Sequence, residues 1–310
     1  MGRPKHMAIV SASKHRAEVP ARRRALSNRE SSTIWYWFLL PTLLGIVLFT
    51  IYPLIESLRL SFTRGVEERY VGADNYTEVL TSETFWYSVY NTVYITSLQL
   101  LIAIPLGFLI ACFINSLRRG SNFFKVLFYI PNATSMVAAA TVFLAILHPD
   151  GPLNYAMQQL GFEKVVWLSQ PVSAKWGAVI LSVWHWLGFV IIINLANLQA
   201  IPIEYYEASS IDGASRLQQW WFITVPNMIG SLTVLLVLGW IGGLQRFADV
   251  YMLGGLQGSP ARALHTVVGF IFERGFGGNE YGIASAAAYI LFVVILLFTY
   301  LNTKLLRMKM

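Results

Sequence analysis

Charge is scarce in this chain. Only 13% of its 310 residues are Asp, Glu, Lys or Arg, while 55% are hydrophobic and the mean hydropathy is +0.54. An ordinary soluble domain carries roughly a quarter charged residues, so the main body is built for lipid rather than water. Cysteine is almost absent. Cys112 stands alone in an apolar run, which excludes an internal disulfide and leaves it as a small packing residue. There is no GxxxxGK[ST] loop to cradle a triphosphate, so the chain by itself does not bind and hydrolyse ATP in the usual way. The histidines, His6, His15, His148, His185 and His265, show no metal-ligand spacing, and Gly242-Gly243 and Gly277-Gly278 lack the strand-then-helix setting of a nucleotide fingerprint. The sequence therefore gives no cofactor, metal or catalytic residue of its own, and no internal repeat.

What charge there is follows a pattern. The net charge is +7, but eight of the 23 Lys and Arg precede residue 30 and most of the others flank apolar segments, the distribution of an orientation signal rather than of a nucleic-acid surface. Residues 1–32 read as a basic, polar tail and residues 33–310 as one membrane domain. Crossing about 30 Å of hydrocarbon takes about 20 residues. On that scale the apolar runs predict an all-α polytopic protein with six transmembrane helices, Trp37–Phe62, Thr92–Asn115, Phe124–Leu147, Gly177–Leu198, Ile229–Leu253 and Ile283–Asn302. The first is read as uncleaved, and Pro41 and Pro53 predict a kink in it. Basic residues in the amino-terminal tail, around Arg118-Arg119 and Lys125, and at Lys304, Arg307 and Lys309 all fall on one side, which the positive-inside rule makes cytoplasmic for both termini. The segment 64–83, with Glu67, Glu68, Asp74, Glu78 and Glu83, falls on the other.

Between the fourth and fifth spans lies a polar island, Glu204 to Pro226, with Glu204, Glu207 and Asp212. Tyr205 to Ile211 reads as a short helix, Gly213 as the residue that takes a positive φ, and Ala214 to Thr224 as a second helix stopped by Pro226. The net charge of this segment is negative although the topology puts it inside, as expected of a surface covered by a protein partner.

The spacing Glu207-Ala208-Ser209, three residues, Gly213, nine residues, Ile223-x-Val225-Pro226 resembles the "EAA" loop of membrane subunits of binding-protein-dependent ABC importers, with Ser for the second Ala and Val for Leu. The stretches VGADNYTEVL from Val71, PDGPLNYAMQQLG from Pro149, GIASAAAYILF from Gly282, FKVLFYIPNATSMVAAATVFLAIL from Phe124 and LANLQAIPIEYYEAS from Leu195 resemble the sugar-importer branch of that family. The resemblance runs from about Phe38 to Leu305. It implies a permease subunit forming half of a pore for a sugar or oligosaccharide. The implied partners are a second homologous permease, two ATPase subunits that bind ATP and Mg, an extracytoplasmic binding protein and the lipid bilayer, in the cytoplasmic membrane of a bacterium or archaeon. It also implies ATPase coupling through Glu207, Ala208, Ser209, Asp212, Gly213, Ala214, Ile223 and Pro226. A substrate path would pass Trp184, Leu187, Gly188, Ile191, Gly242, Gly243, Gln245 and Arg246.

A charge inside a span is costly and draws a functional reading. Arg246 would meet an anionic sugar, such as a uronate oligosaccharide or a sugar phosphate, on one reading. On the simpler one it pairs with Asp249, three residues on along a helix, as Glu56 would with Arg59. A secondary transporter driven by an ion gradient is the competing class, but it calls for inverted repeats and midplane carboxylates, and the acidic residues here keep to span ends.

Overall fold

The computed structural model describes residues 36–307 except residues 66 and 118, and the basic tail 1–32 lies outside the described residues. The chain divides into two units, residues 1–56 and 57–310. The described part of the first belongs wholly to α1 (Tyr36–Ser61). Within it Val47–Ile51 is π-helical, two residues ahead of Pro53. A proline has no N–H for the carbonyl four residues back, and the wider π turn keeps its ring clear of that carbonyl, so the expected distortion takes this form.

The second unit follows with a short ladder, β1 (Thr63–Arg64) against β2 (Arg69–Tyr70), then α2 (Asp74–Thr81) and α3 (Glu83–Ser116). Ser82 caps α3, its hydroxyl accepting from the Phe85 N–H at 3.3 Å. Next come α4 (Ser121–Ala133), α5 (Met136–Ile146), α6 (Pro152–Gln159) and α7 (Pro171–Gln199). After these the chain makes α8 (Ile203–Ile211), α9 (Arg216–Leu244), α10 (Ala248–Gly254), α11 (Val267–Phe272) and α12 (Tyr281–Arg307). Among the described residues five helices, α1, α3, α7, α9 and α12, are long and apolar enough to cross a membrane, and α4 with α5 makes a sixth if the bent pair is one span.

Three expectations change. The third span is not one helix: α4 and α5 meet at a bend of 97° across Thr134 and Ser135. Pro131 removes one ladder bond just before the helix ends at Ala133, and Thr134 and Ser135 take extended backbone. The fifth span stops at Leu244, and Gln245 to Phe247 break it before α10. Pro226 is not a stop, because Trp220–Thr224 is π-helical and carries the helix through the proline as in α1. Arg59 meets Glu68 at 2.6 Å across the ladder turn.

Packing in the second unit centres on α3 and α7. Ile95, Ala103, Ala178, Val179 and Leu181 form the inner core with Ala139, Ala140 and Phe143 of α5 and Val250 of α10. Phe108, Ala111, Ile191, Leu195 and Met228 form a second core toward the α8 end. Gly188 lets α4 approach α7 closely, since a Cβ there would collide with the backbone carbonyl of Phe128. Side-chain shifts cannot relieve a clash with backbone. Gly188→Ala should therefore lower the thermal midpoint of the detergent-solubilised chain, with a destabilisation of about 1–3 kcal/mol, whereas Gly242→Ala, which meets nothing within 4 Å, should leave it in place. Equal midpoints for both variants would refute the close contact.

Candidate functional site

Two features concentrate the chemistry, a polar hairpin and a cavity, and α9 carries both. In the hairpin, α8 ends at Ile211 and Gly213 adopts φ +81°, the left-handed conformation that costs glycine nothing. The Ala214 N–H then returns to the Ser209 carbonyl at 2.9 Å. Ser215 opens α9 with a reciprocal capping box to Gln218. Two links tie the arms: Tyr206 Oη and Thr224 Oγ1 share a hydrogen bond of 3.0 Å, and Gln219 Nε2 donates to Ser209 Oγ at 3.0 Å and to Ser210 Oγ at 2.8 Å. Glu207, Ala208, Asp212 and Gly213 are exposed, Ser209, Ala214 and Ile223 half-buried, and Pro226 exposed. The tip is apolar as well as acidic, for Ile211 is 87% exposed and Leu217 67%.

Near the other end of α9 lies a cavity of about 300 Å3. Its walls are Gln99 of α3, Met136 of α5, Ser182, His185 and Trp186 of α7, and Leu238, Gly239, Gly242 and Gly243 of α9, closed by Gln245 to Asp249. His185 Nε2 meets the Thr134 carbonyl at 3.2 Å, the free backbone acceptor at the bend between α4 and α5. Of the pore residues expected from the sequence, Gly242, Gly243, Gln245 and Arg246 line this cavity. Trp184 instead packs on Phe143 with ring centroids 5.2 Å apart, Leu187 and Ile191 belong to the core against α3, and Gly188 faces α4. The cavity takes the face of α7 that bears Ser182, His185 and Trp186, two residues and thus just over half a helical turn from Trp184, Leu187 and Gly188. Sequence reasoning missed these and Gln99. Their signal was a polar set spaced three to four apart inside an apolar span.

Arg246 is buried and pairs with Asp249, but not along one helix. It sits in the break after α9, and Asp249 in the first turn of α10. The guanidinium also donates to Ser182 Oγ and to Gln99 Oε1, while Ser182 Oγ donates to Asp249 Oδ2 at 3.0 Å. Its Nε has no partner among the described residues. The break is held from behind by Thr266, whose hydroxyl donates to the Arg246 carbonyl at 2.9 Å and accepts from the Gly269 N–H at 3.3 Å.

A second cluster closes the loop before α12. His265 is 1% exposed, with Nδ1 on Ser88 Oγ at 2.8 Å and Nε2 3.0 Å from Glu273, an ion-pair distance without hydrogen-bond alignment. Arg262 grips Glu273 with two hydrogen bonds of 2.9 and 3.1 Å. Burial, only partly offset by Glu273, pushes the His265 imidazole below its ordinary range. Burial works to raise Glu273, but Arg262, His265 and Arg274 together hold it below the usual carboxylate range.

The comparisons with known proteins agree with this architecture. Residues 103–308 match the family described as binding-protein-dependent transport system inner membrane component. The chain belongs to that family and is a multi-pass membrane protein. It is 34% identical to the arabinooligosaccharides transport system permease protein of Bacillus subtilis, over 87% of each chain. With the trehalose/maltose transport system permease protein of Thermococcus litoralis it shares 33% identity over 92% of this chain and 97% of the other. A chain of a bacterial ABC transporter involved in import of the acidic polysaccharide alginate superposes with a TM-score of 0.81 at 26% identity, covering 92% of this chain and 98% of that one.

Removing one half of a buried ion pair leaves the other charge stranded, at a cost of about 3–5 kcal/mol. Arg246→Met and Asp249→Leu should each destabilise the solubilised chain strongly, and the double variant should recover much of the loss in thermal midpoint. Additive losses would show that the two side chains act independently. For His265 the folded state resists protonation to lower pH than the unfolded state does, so acidification loads the unfolded chain first and stability falls. Glu273 acts in the same direction at lower pH, its contribution being lost as the pH falls through its depressed folded value. The midpoint should thus drop as pH falls below the ordinary imidazole range, and His265→Asn should flatten that part of the curve. An unchanged slope in the variant would sink the assignment.

Proposed function

We propose that this chain is the permease subunit of an ATP-driven importer, forming half of a translocation path for a sugar or oligosaccharide. The observation that carries it is that one helix, α9, begins in the hairpin and ends at the cavity. A displacement of the hairpin is a displacement of Leu238, Gly239, Gly242 and Gly243. The substrates for which relatives are named, arabinooligosaccharides, trehalose/maltose and lactose, support a sugar. So does the cavity, where Trp186 offers an aromatic face and Gln99, His185 and Gln245 offer hydrogen bonds to hydroxyls. Asp249 already neutralises Arg246, so the cavity wall carries no spare cation to select an acidic sugar.

The power stroke comes from outside the chain. Two ATPase subunits, binding ATP and Mg, would each receive one hairpin, this chain's and that of a second homologous permease. Glu207 and Asp212 would meet basic groups of the ATPase, and Ile211 and Leu217 would fill an apolar cleft. Closure of the ATPases on ATP turns the path toward the opposite face, where an extracytoplasmic binding protein delivers the sugar. Support for that partner comes from a solved alginate transporter in complex with its oligosaccharide-bound periplasmic protein, 27% identical to this chain. Both termini are assigned to the cytoplasm of a bacterium or archaeon, in keeping with the basic segments on that side.

In the complex reconstituted with its ATPase and binding protein, Gly213→Pro and Glu207→Arg should leave membrane insertion intact and abolish the ATPase stimulation produced by sugar-loaded binding protein. Full stimulation in both variants would remove the hairpin from the coupling path.

A further inference from the structure

Lys175 is 8% exposed and stands in the second turn of α7. Its Nζ lies 5.5 Å from the ring centre of Tyr87, 4.6 Å from that of Tyr90 and 5.2 Å from that of Tyr94. These three tyrosines follow the three-and-four spacing of a single face of α3. Cation–π attraction steadies the ammonium. It does not neutralise it, and among the described residues no carboxylate pairs with Lys175 and no acceptor takes its hydrogen bonds. Tyr90 is 54% exposed and Tyr87 38%, so the cage opens outward on the side away from α7.

The depth of the cage identifies the missing partner. Tyr87 and Lys175 are each the fifth residue of their helix, about 6 Å from its end at 1.5 Å per residue. α3 has 34 residues, about 51 Å at that rise, against about 30 Å of hydrocarbon. The cage therefore lies at headgroup level, where tyrosines gather. We propose that Lys175, framed by Tyr87, Tyr90 and Tyr94, binds a phosphate group, carried by the headgroup of an anionic phospholipid in the leaflet facing away from the hairpin. The phosphate supplies the negative charge and acceptor oxygens that the ammonium lacks, and the exposed tyrosine rings cover the glycerol and first methylenes.

The full chain would be reconstituted in nanodiscs of equal parts dioleoylphosphatidylglycerol and dioleoylphosphatidylcholine, released into detergent and weighed intact with its retained lipids. Wild type should keep phosphatidylglycerol in preference to phosphatidylcholine. Lys175→Met, which keeps the stem and removes the charge, should lower that preference about tenfold, the value of one charge-assisted hydrogen bond. Lys175→Arg should restore it, which separates loss of charge from misfolding. An undiminished preference in Lys175→Met, or failure of Lys175→Arg to restore it, overturns the site. Displacement of the lipid from wild type by millimolar inorganic phosphate overturns the lipid as its source and assigns the cage to a soluble anion.

Discussion

Backbone in hydrocarbon has no water to bond with, so every departure from the helix must find its partners inside the protein. One such departure in this chain is the long break between α9 and α12, and α3 supplies several of its partners. Asn91 donates to the carbonyls of Arg262 and His265 at 2.8 and 3.0 Å, Thr92 Oγ1 accepts from the Val267 N–H at 3.0 Å, Ser88 holds His265, and Gln99 holds Arg246. Ser88, Asn91, Thr92, Thr96 and Gln99 make a buried polar seam down one side of an otherwise apolar span. Gln99 at its end is also a wall of the cavity.

Much of this was legible in the sequence and some of it was not, for physical reasons. Hydropathy marks the apolar middle of a helix but not its ends, so α3 begins nine residues before the expected Thr92 and α7 six before Gly177. It is also blind to direction, and a run of apolar residues around Pro131 reads as one straight span although the backbone turns there. The turn of the hairpin was readable because its demand is local, a glycine at positive φ after a short helix, whereas the Ser215 cap and the continuation through Pro226 were not read. The cavity face of α7 was not readable, because Trp184, Leu187 and Gly188 look as suitable for a path as Ser182, His185 and Trp186. Only the partner helix decides. Arg246 and Asp249 were expected as a pair and are one, yet a pair bridging a break does different work from a pair along a helix.

Proline is handled alike in both places where a π stretch precedes it. Val47–Ile51 ends two residues before Pro53, and Trp220–Thr224 ends two before Pro226. In α9 the consequence is mechanical. A conventional proline kink at Pro226 would uncouple the hairpin from the membrane helix, whereas with the π turn the chain stays helical from Arg216 to Leu244 although Pro226 donates no bond. Trp220 adds a side support, stacked at 5.9 Å on Phe108 of α3.

A rigid rod transmits displacement only to the point where it ends, and α9 ends at Gln245. Flexibility there would dissipate the motion; a rigid weld would carry it on into α10 and the loop. The arrangement around Arg246 resolves this, because its bonds to Gln99, Ser182 and Asp249 reach α3, α7 and α10 at once while the backbone itself is unwound. The side chain, not the main chain, spans the gap. An ion pair of this kind adds little net stability over a well-packed apolar core, and its use is positional. It fixes where the end of α9 stands relative to the seam of α3, and a shift of the hairpin must either carry that network along or break it.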